Sequence, residues 1–584
     1  MNFARKRLHA LLAPQILGGL SAFAYGATVV DLIVVGNFVG VDALTAVAAV
    51  LPVSVGAQFV SRLAFCGAGY LFAKYQGLLQ PDKARRVVGL ALETAVAVGL
   101  ALCALTTLGR DFYFDAMGLV GTVREQASAY WRWMSIYYAY FPVALVMWRL
   151  VYADGETVTT LVANMLTPVL TVILSVAFTK MTGTAAGASL GLLLGSVGSF
   201  LVMTMHFLRK SNGVVPIWNF SWRGLRELVS YALTDSVSKL CQCGCLTVVN
   251  KLVTFSASAA FLPVVGMFAL VQQLCDILDR VGDAYMPVAE MYKGERNLPR
   301  FGELARHALA CSLALGVLLL LVVELLAPEI VSLYGIPRGE VFDSAVVALR
   351  LSGLVLPLAS VLLFLCSHDL VLDRIRLSLA VTALFGFLLP TGCTAAFCFA
   401  WGLDAMWIGF PMGALLSLAA LAVFCRVTTR RYSLLLLPKG TCAVFNQSFL
   451  PVARQVASAR DAGARFLRGQ GVCDGTVSRI MLLVEECSLA VGDDCRPKRH
   501  VLVEVSLIVD DEAVTLVLRD TGTMRDLTDG DARVTSLRSF VIAGLMRAHE
   551  NRRYLNTIGC NRAVFSFPRS EALGKGHRCN EPLQ

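Results

Sequence analysis

The sequence predicts an all-α polytopic membrane domain of about twelve transmembrane helices, arranged as two six-helix bundles in a parallel repeat, followed by a soluble α+β domain. The composition is the first reason: 56% of the residues are hydrophobic and only 16% are charged, whereas soluble proteins carry about 25% charged residues. The second is their distribution. Apolar runs long enough to cross a bilayer recur between residues 13 and 427, and the chain turns polar from Asn446 onward.

The apolar runs predict the membrane helices in order. We expect them at residues 14–38, 43–73, 87–108, 127–149, 158–179, 184–208, 226–253, 258–287, 304–327, 342–367, 375–400 and 405–426. The corresponding domains are an N-terminal bundle (1–215), a C-terminal bundle (216–432), a linker (433–450), a soluble domain (451–570) and a flexible tail (571–584).

Lys and Arg concentrate in every second loop between these runs. "ARKR" (4–7) precedes the first helix and "KARR" (83–86) follows the second, while the alternate loops "NFVGVDA" and "FSASAAFLP" carry no positive charge. Cytoplasmic loops carry such an excess. The pattern predicts a multi-pass plasma-membrane protein with both termini in the cytoplasm. It also accounts for the net charge of +10, so we expect no nucleic-acid partner.

A repeat relates the two halves. "TVVD" (28–31) recurs as "TVVN" (247–250), and "YQGLLQPDKARRVV" after the second helix corresponds to "YKGERNLPRFGELA" after the eighth. Because each half has an even number of helices, the halves run in the same direction and enclose a central cavity. This layout is typical of transporters, so the expected partners are a small-molecule substrate and membrane lipid.

Three segments then resemble the MATE multidrug and toxin extrusion transporters. They are "VVDLIVVGNFVGVDALTAVAAVLPV" (29–53), "YADGETVTTLVANML" (152–166) and "GTAAGASLGLLLG" (183–195). The resemblance covers about residues 10–430, and it implies an export antiporter built from two bundles in a V and driven by inward H⁺ or Na⁺.

Asp31 is a lone carboxylate in an uncharged run. The resemblance implies that it binds the coupling cation, and a proton or cation would relieve the cost of burying it. The alternative is a carboxylate satisfied by neighbouring hydroxyls. Where the family often supplies Asn and Asp in the fifth helix, this chain has Thr171 and Ser175. The substitution favours a proton over sodium as the coupling ion. The alternative is that this protein has lost coupled transport.

Other polar groups inside the apolar runs are candidates for the substrate cavity, because isolated charges at depth need partners or water. The alternatives are packing within the bundle, snorkelling, or a solvated helix end. The Cys cluster "CQCGC" (241–245) has no accompanying His and predicts a small-residue packing surface, so we expect no metal site. The cavity candidates are Arg62, Asn250, Lys251, Asp276 and Asp279.

The soluble domain is predicted from two amphipathic helices (451–470 and 473–494), two strands (501–511 and 513–522), a helix (about 535–548) and two short closing strands. "LLVEECSLAV" (482–491), "LRDTGTM" (518–524) and "IGCNRAVFSF" (558–567) resemble the GHKL (Bergerat) ATPase superfamily, closest to anti-sigma-factor serine kinases.

That resemblance implies roles for particular residues. Glu486 would be the general base or water-orienting group, and Asp520 with Gly522 would bind the adenine amino group. Ala490 occupies the place of the Mg²⁺-binding Asn, and "ARVTSLRSFVIAG" (532–544) lacks the Gly-x-Gly of the phosphate lid. The departures argue against ATPase or kinase activity and leave ATP and Mg²⁺ as open candidates rather than expected cofactors.

The sequence therefore predicts a cation-coupled transporter, proton favoured over sodium, that exports small organic or cationic compounds. Its degenerate nucleotide-binding domain would regulate it, and we expect no enzyme activity. The alternative is a signalling receptor with a transporter-like sensor, whose C-terminal domain engages a cytoplasmic protein partner.

Overall fold

The structure is a computed structural model of the 584-residue chain. It describes residues 3–25, 29–77, 81–153, 157–205, 214–257, 259–429, 435, 442–494, 501–522, 526, 537–547, 552–557 and 560–568. The chain forms two compact units. The helical unit comprises Ala13–Asp283 and Leu309–Leu434, and the sheet unit comprises Met1–Leu12, Ala284–Ala308 and Leu435–Gln584.

Long helices dominate the first 430 residues, because a chain in hydrocarbon must satisfy its backbone hydrogen bonds internally. A π-helical turn, Leu384–Leu388, joins two of them, Ile375–Ala383 and Leu389–Trp401. The helices are α1 (Phe3–Tyr25), α2 (Val29–Phe38), α3 (Val41–Gly77), α4 (Pro81–Met117), α5 (Gly121–Ala153), α6 (Thr157–Thr182), α7 (Ala186–Thr204), α8 (Trp222–Ser256), α9 (Leu262–Gly294), α10 (Leu298–Leu333), α11 (Glu340–Gly353), α12 (Val355–Val371), α13 (Ile375–Ala383), α14 (Leu389–Trp401) and α15 (Gly409–Thr429).

Ten helical stretches among the described residues are long and apolar enough to cross a membrane, against the predicted twelve. The two differences are the predicted first and seventh helices. The first corresponds to α1 and the ten-residue α2, with residues 26–28 outside the described part. The seventh corresponds to α8, which is helical throughout but carries several charged residues that lower its hydropathy.

Helices in the helical unit approach each other most closely at glycine. A Cβ atom on Gly187, Gly191 or Gly195 of α7 would lie 2.3, 2.2 or 2.7 Å from a backbone nitrogen of α6. On α3, a Cβ on Gly67 would lie 2.0 Å from the carbonyl oxygen of Leu228 in α8. Small residues permit such backbone contact between membrane helices, where lipid competes with any apolar side chain.

The C-terminal part of the sheet unit is a five-stranded antiparallel sheet in the order β1-β2-β3-β5-β4. The predicted α+β composition is confirmed, and each predicted helix and strand has a counterpart within a few residues. The elements are β1 (Ala443–Phe449), α16 (Ala453–Gly469), α17 (Asp474–Asp494), β2 (Val503–Val509), β3 (Ala513–Asp520), α18 (Leu537–Arg547), β4 (Arg552–Thr557) and β5 (Cys560–Pro568).

The sheet has one apolar and one charged face, because successive side chains on a strand point to opposite sides. Val503, Val505 and Leu507 of β2 enter a core with α16, α17 and α18. Between them in the sequence, Glu504 and Ser506 are also completely buried, although they lie on the other face.

Two segments of the structure differ from the predicted boundaries. Residues 443–449 of the predicted linker form β1, whose sequence "AVFNQSF" lacks the apolar–polar alternation that predicts a strand. The segment Ala284–Ala308, predicted as part of the C-terminal bundle, belongs to the sheet unit by its contacts. The predicted tail (571–584), residues 436–441 of the linker and residues 532–536 of the predicted lid lie outside the described residues.

Gly191→Ala should destabilise the chain by about 1–3 kcal/mol, because the added methyl group would force α6 and α7 apart. The matched control is Gly392→Ala in α14, where a Cβ meets no atom within 4 Å. Thermal unfolding in detergent, followed by tryptophan fluorescence, measures both. Equal midpoints for the two variants would contradict the close packing of α6 and α7.

Candidate functional site

Asp31 lies on α2 between buried apolar residues and is itself completely buried. Its Oδ2 accepts a hydrogen bond of 2.6 Å from the Tyr130 hydroxyl of α5, which is also buried. No described residue donates to Oδ1. Hydrogen bonds to a carboxylate are stronger than those between neutral groups, so Tyr130 is the described residue that holds this side chain in place.

A second buried hydrogen bond, between two hydroxyl groups, connects α5 with α3. The hydroxyl groups of Tyr138 and Ser54 are 2.8 Å apart. The sequence analysis did not select Tyr130, Tyr138 or Ser54. The only signal for the two tyrosines was the aromatic run "AYWRWMSIYYAY" (129–140), which equally predicts a lipid-facing or packing surface.

Thr171 and Ser175, the predicted partners of Asp31, are buried on α6 but lie against α7. Ser175 donates a 3.0 Å hydrogen bond to the carbonyl oxygen of Ala188 on α7. Among the described residues no hydrogen bond joins either hydroxyl to Asp31. Their part in coupling stays a prediction, and the structure shows them at a helix–helix contact.

A group of charges lies between α3, α8 and α9. Lys239 of α8 is 4% exposed, and its Nζ lies 2.5 Å from an oxygen of Asp276 on α9 and 2.7 Å from Gln242 Oε1. Arg280 pairs with Asp283 at 2.9 Å, and Arg62 of α3 lies near enough for its like charge to repel both Lys239 and Arg280.

The structure therefore brings two predicted cavity residues, Arg62 and Asp276, into one charged group, and it adds Lys239, which sequence analysis missed. Asp279 is half-buried one turn from Asp276 on the same helix. Asn250 is buried, and neither atom of its amide has a hydrogen-bond partner among the described residues. Its neighbour Lys251 is exposed.

In the soluble domain, Asp520 ends β3 and is 1% exposed. Its Oδ1 accepts hydrogen bonds from the Gly522 backbone N–H (2.8 Å) and from Asn561 Nδ2 of β5 (2.9 Å). Tyr554 of β4 donates to Asn561 at 2.8 Å. The Oδ1 atom of this carboxylate thus holds the chain after β3 and joins it to β5.

Glu486 is half-buried on α17. Ala490, one turn further on, is 4% exposed and belongs to the apolar core between the helices and the sheet. The Ala490 methyl group therefore packs in the apolar core, and this side chain has no oxygen that could bind a metal ion.

The MatE family model matches residues 20–177, and no curated protein matches the chain. An inward-facing multidrug resistance MATE transporter of the MOP superfamily superimposes with a TM-score of 0.64 at 19% identity, covering 70% of this chain and 95% of that one.

Two further structures align similarly, both at 19% identity. An outward-facing MATE transporter gives a TM-score of 0.61 and covers 74% of this chain and 96% of its own. A MOP superfamily transporter from Pyrococcus furiosus, described as having a binding pocket of reversed polarity, gives 0.57 with the same coverage. The chain is therefore similar to the MatE family over residues 20–177 and has the fold of the MATE multidrug transporters.

Proposed function

We propose that this protein is a proton-coupled secondary transporter that exports small organic compounds, cations among them, with Asp31 as the proton-binding group. The buried carboxylate with a single described hydrogen-bond donor, Tyr130, is the observation that carries the proposal. Burial without a counter-charge favours the neutral form of a carboxylic acid. Binding a proton therefore removes most of the cost of burying Asp31, and losing it restores that cost.

A proton suits this site better than a metal cation. A proton needs one carboxylate oxygen, whereas hard cations are held by several oxygen atoms at once. Ser175 is turned to the carbonyl of Ala188, and Thr171 lies against Gly195 of α7. The two hydroxyl groups that would complete a sodium site therefore lie in the contact between α6 and α7.

The charged group on α8 and α9 is the proposed place of substrate recognition. The Asp276 side chain is 44% exposed although Lys239, which pairs with it, is 4% exposed. The Asp276 carboxylate pairs with the buried Lys239 ammonium through one oxygen. Its exposed part can still accept hydrogen bonds from a cationic ligand. The reversed pocket polarity reported for the Pyrococcus furiosus transporter indicates that pocket charge differs within this fold, so substrate charge must be inferred from these residues.

We assign the soluble domain a regulatory role in the cytoplasm, with both termini on that side of the plasma membrane. The charge bias of the loops supports this orientation. The packed Ala490 and the engaged Asp520 argue against ATP hydrolysis. The receptor alternative gains no support from the comparisons.

Asp31→Asn should reduce gradient-driven efflux to background, because an amide cannot take up and release a proton. Efflux of a fluorescent organic cation from proteoliposomes, under imposed H⁺ or Na⁺ gradients, measures this. Asp42→Asn, which changes an exposed carboxylate in the first turn of α3, is the matched control and should retain efflux. Proton-driven efflux by Asp31→Asn would refute the coupling role, and efflux driven only by sodium would refute the choice of ion.

Tyr130→Phe should lower the free energy of unfolding by about 0.5–3 kcal/mol, a range that spans hydrogen bonds to a neutral and to an ionised carboxyl group. In an Asp31→Asn background the loss should be smaller, because the acceptor can no longer ionise. A double-mutant cycle by thermal unfolding isolates that difference. Tyr138→Phe, which removes the bond to Ser54 instead, should show no coupling to Asp31. Equal coupling for both tyrosines would contradict the assignment.

Adenine nucleotides should bind the full chain weakly or not at all, independently of Mg²⁺ and without turnover, since Ala490 offers no ligand and Asp520 is engaged. Titration calorimetry with and without Mg²⁺ tests this. Any affinity should disappear in Asp520→Ala, and a parallel unfolding curve must show that the variant is folded. Tight Mg²⁺-dependent binding would restore the ATPase interpretation.

A further inference from the structure

The sheet unit gathers three distant parts of the chain. They are the start of α1 (Met1–Leu12), the turn between α9 and α10 (Ala284–Ala308) and the soluble domain (Leu435–Gln584). By the predicted boundaries, α1 belongs to the N-terminal bundle and α9 and α10 to the C-terminal bundle. One compact unit therefore holds a piece of each bundle.

Glu295 of the α9–α10 turn is the centre of the contact with the sheet. Its side chain is 2% exposed, and it pairs with Arg519 of β3 and with Arg562 of β5, whose Nε lies 2.6 Å from Glu295 Oε1. Arg519 has no exposed surface. Burial lowers the pKa of Arg519 to about 10, which leaves the guanidinium protonated at neutral pH.

Glu504 of β2 forms the second half of this ionic core. It is completely buried and accepts from Arg519 (2.9 Å) and from the Tyr292 hydroxyl (2.7 Å), and Arg300 Nε lies 3.1 Å away. Burial raises the pKa of Glu504, and the nearby Arg300 opposes that shift. Two carboxylates and three guanidinium groups thus neutralise most of each other's charge between the turn and the sheet.

An amide pair fixes the position of the turn on β1. Asn297 Nδ2 donates to Asn446 Oδ1 (2.7 Å), and Asn446 Nδ2 donates back to Asn297 Oδ1 (3.0 Å). Ser506 of β2 donates to the same Asn446 oxygen at 2.7 Å. Reciprocal bonds of this kind require one relative placement of the two segments.

The start of α1 contacts both of the other parts. The Phe3 side chain is completely buried against Leu502 and Cys560 of the soluble domain, and its backbone N–H donates to Ser448 Oγ at 3.2 Å. Arg5 pairs with Glu303 of α10 at 3.0 Å. The soluble domain and the α9–α10 turn together therefore hold the first turns of α1.

We propose that the soluble domain is a latch that joins the start of α1 to the α9–α10 turn and must release one of them when the bundles move. Such transporters alternate access by moving one bundle against the other, and in this respect the inference rests on the proposed function. The contact with the α9–α10 turn is the one suited to release, because its charges are hydrated once they separate, whereas release of Phe3 would leave an apolar surface exposed to water.

Hydrogen exchange of the full chain in lipid nanodiscs tests the latch without any gradient. Glu295→Gln leaves two buried guanidinium groups without their shared carboxylate, a loss that destabilises strongly. We expect residues 3–12, 298–308 and 503–520 to exchange together, about tenfold faster than in the wild type. Asp474→Asn, which removes an exposed ion pair with Arg468, is the control and should leave all three unchanged. Faster exchange in 298–308 with no change in 3–12 would overturn the latch.

The Arg5–Glu303 pair tests the α1 contact directly. Arg5→Glu should speed exchange in residues 3–12, because a carboxylate would then face Glu303, whereas Arg5→Lys keeps the charge and should keep the wild-type rate. Unchanged exchange in residues 3–12 of the Arg5→Glu variant would overturn the contact.

Transport by the Glu295→Gln variant is then compared with the wild type, and an unchanged rate would overturn the latch as a regulator. A wild-type chain that does not transport would refute the proposed function alone, since exchange reports the latch independently.

Discussion

Close backbone contact between helices is the constraint on which the membrane part of this protein depends. In lipid, apolar side chains gain little by leaving their surroundings for another helix, so association relies on contact at short range. Gly191 and Gly195 on α7 and Gly67 on α3 leave no room for a Cβ atom. These contacts decide which faces of α6 and α8 are buried, and hence which polar groups can reach the interior.

The candidate coupling site follows from that packing. With Thr171 and Ser175 committed to the α6–α7 contact, the described hydrogen bond to Asp31 comes from α5 instead, through Tyr130. A carboxylate with a tyrosine donor and no described basic partner is suited to gaining and losing a proton. A site with several oxygen ligands would instead have favoured a metal cation.

The soluble domain uses the two faces of its sheet for different purposes. One face builds an apolar core with three helices of its own domain. The other buries Glu504 and Arg519 against the α9–α10 turn, an arrangement that is stable only while each charge has its partner. The second layer of the domain is therefore supplied by the turn between two long apolar helices, the contact on which the proposed regulatory role rests.

Periodicity and composition in the sequence determined most of the secondary structure, because apolar runs and alternating strands reflect local burial in a bilayer or a sheet. They identified Asp31 as a lone carboxylate and Asp276 and Arg62 as charges within apolar runs. Only the tertiary structure decided their partners. Tyr130 lies 99 positions from Asp31, and Lys239 lies 37 positions from Asp276. Glu295 lies 224 positions from Arg519. Pairing over such distances depends on how helices and strands pack. Local sequence patterns therefore cannot predict which distant side chain will contact a given residue.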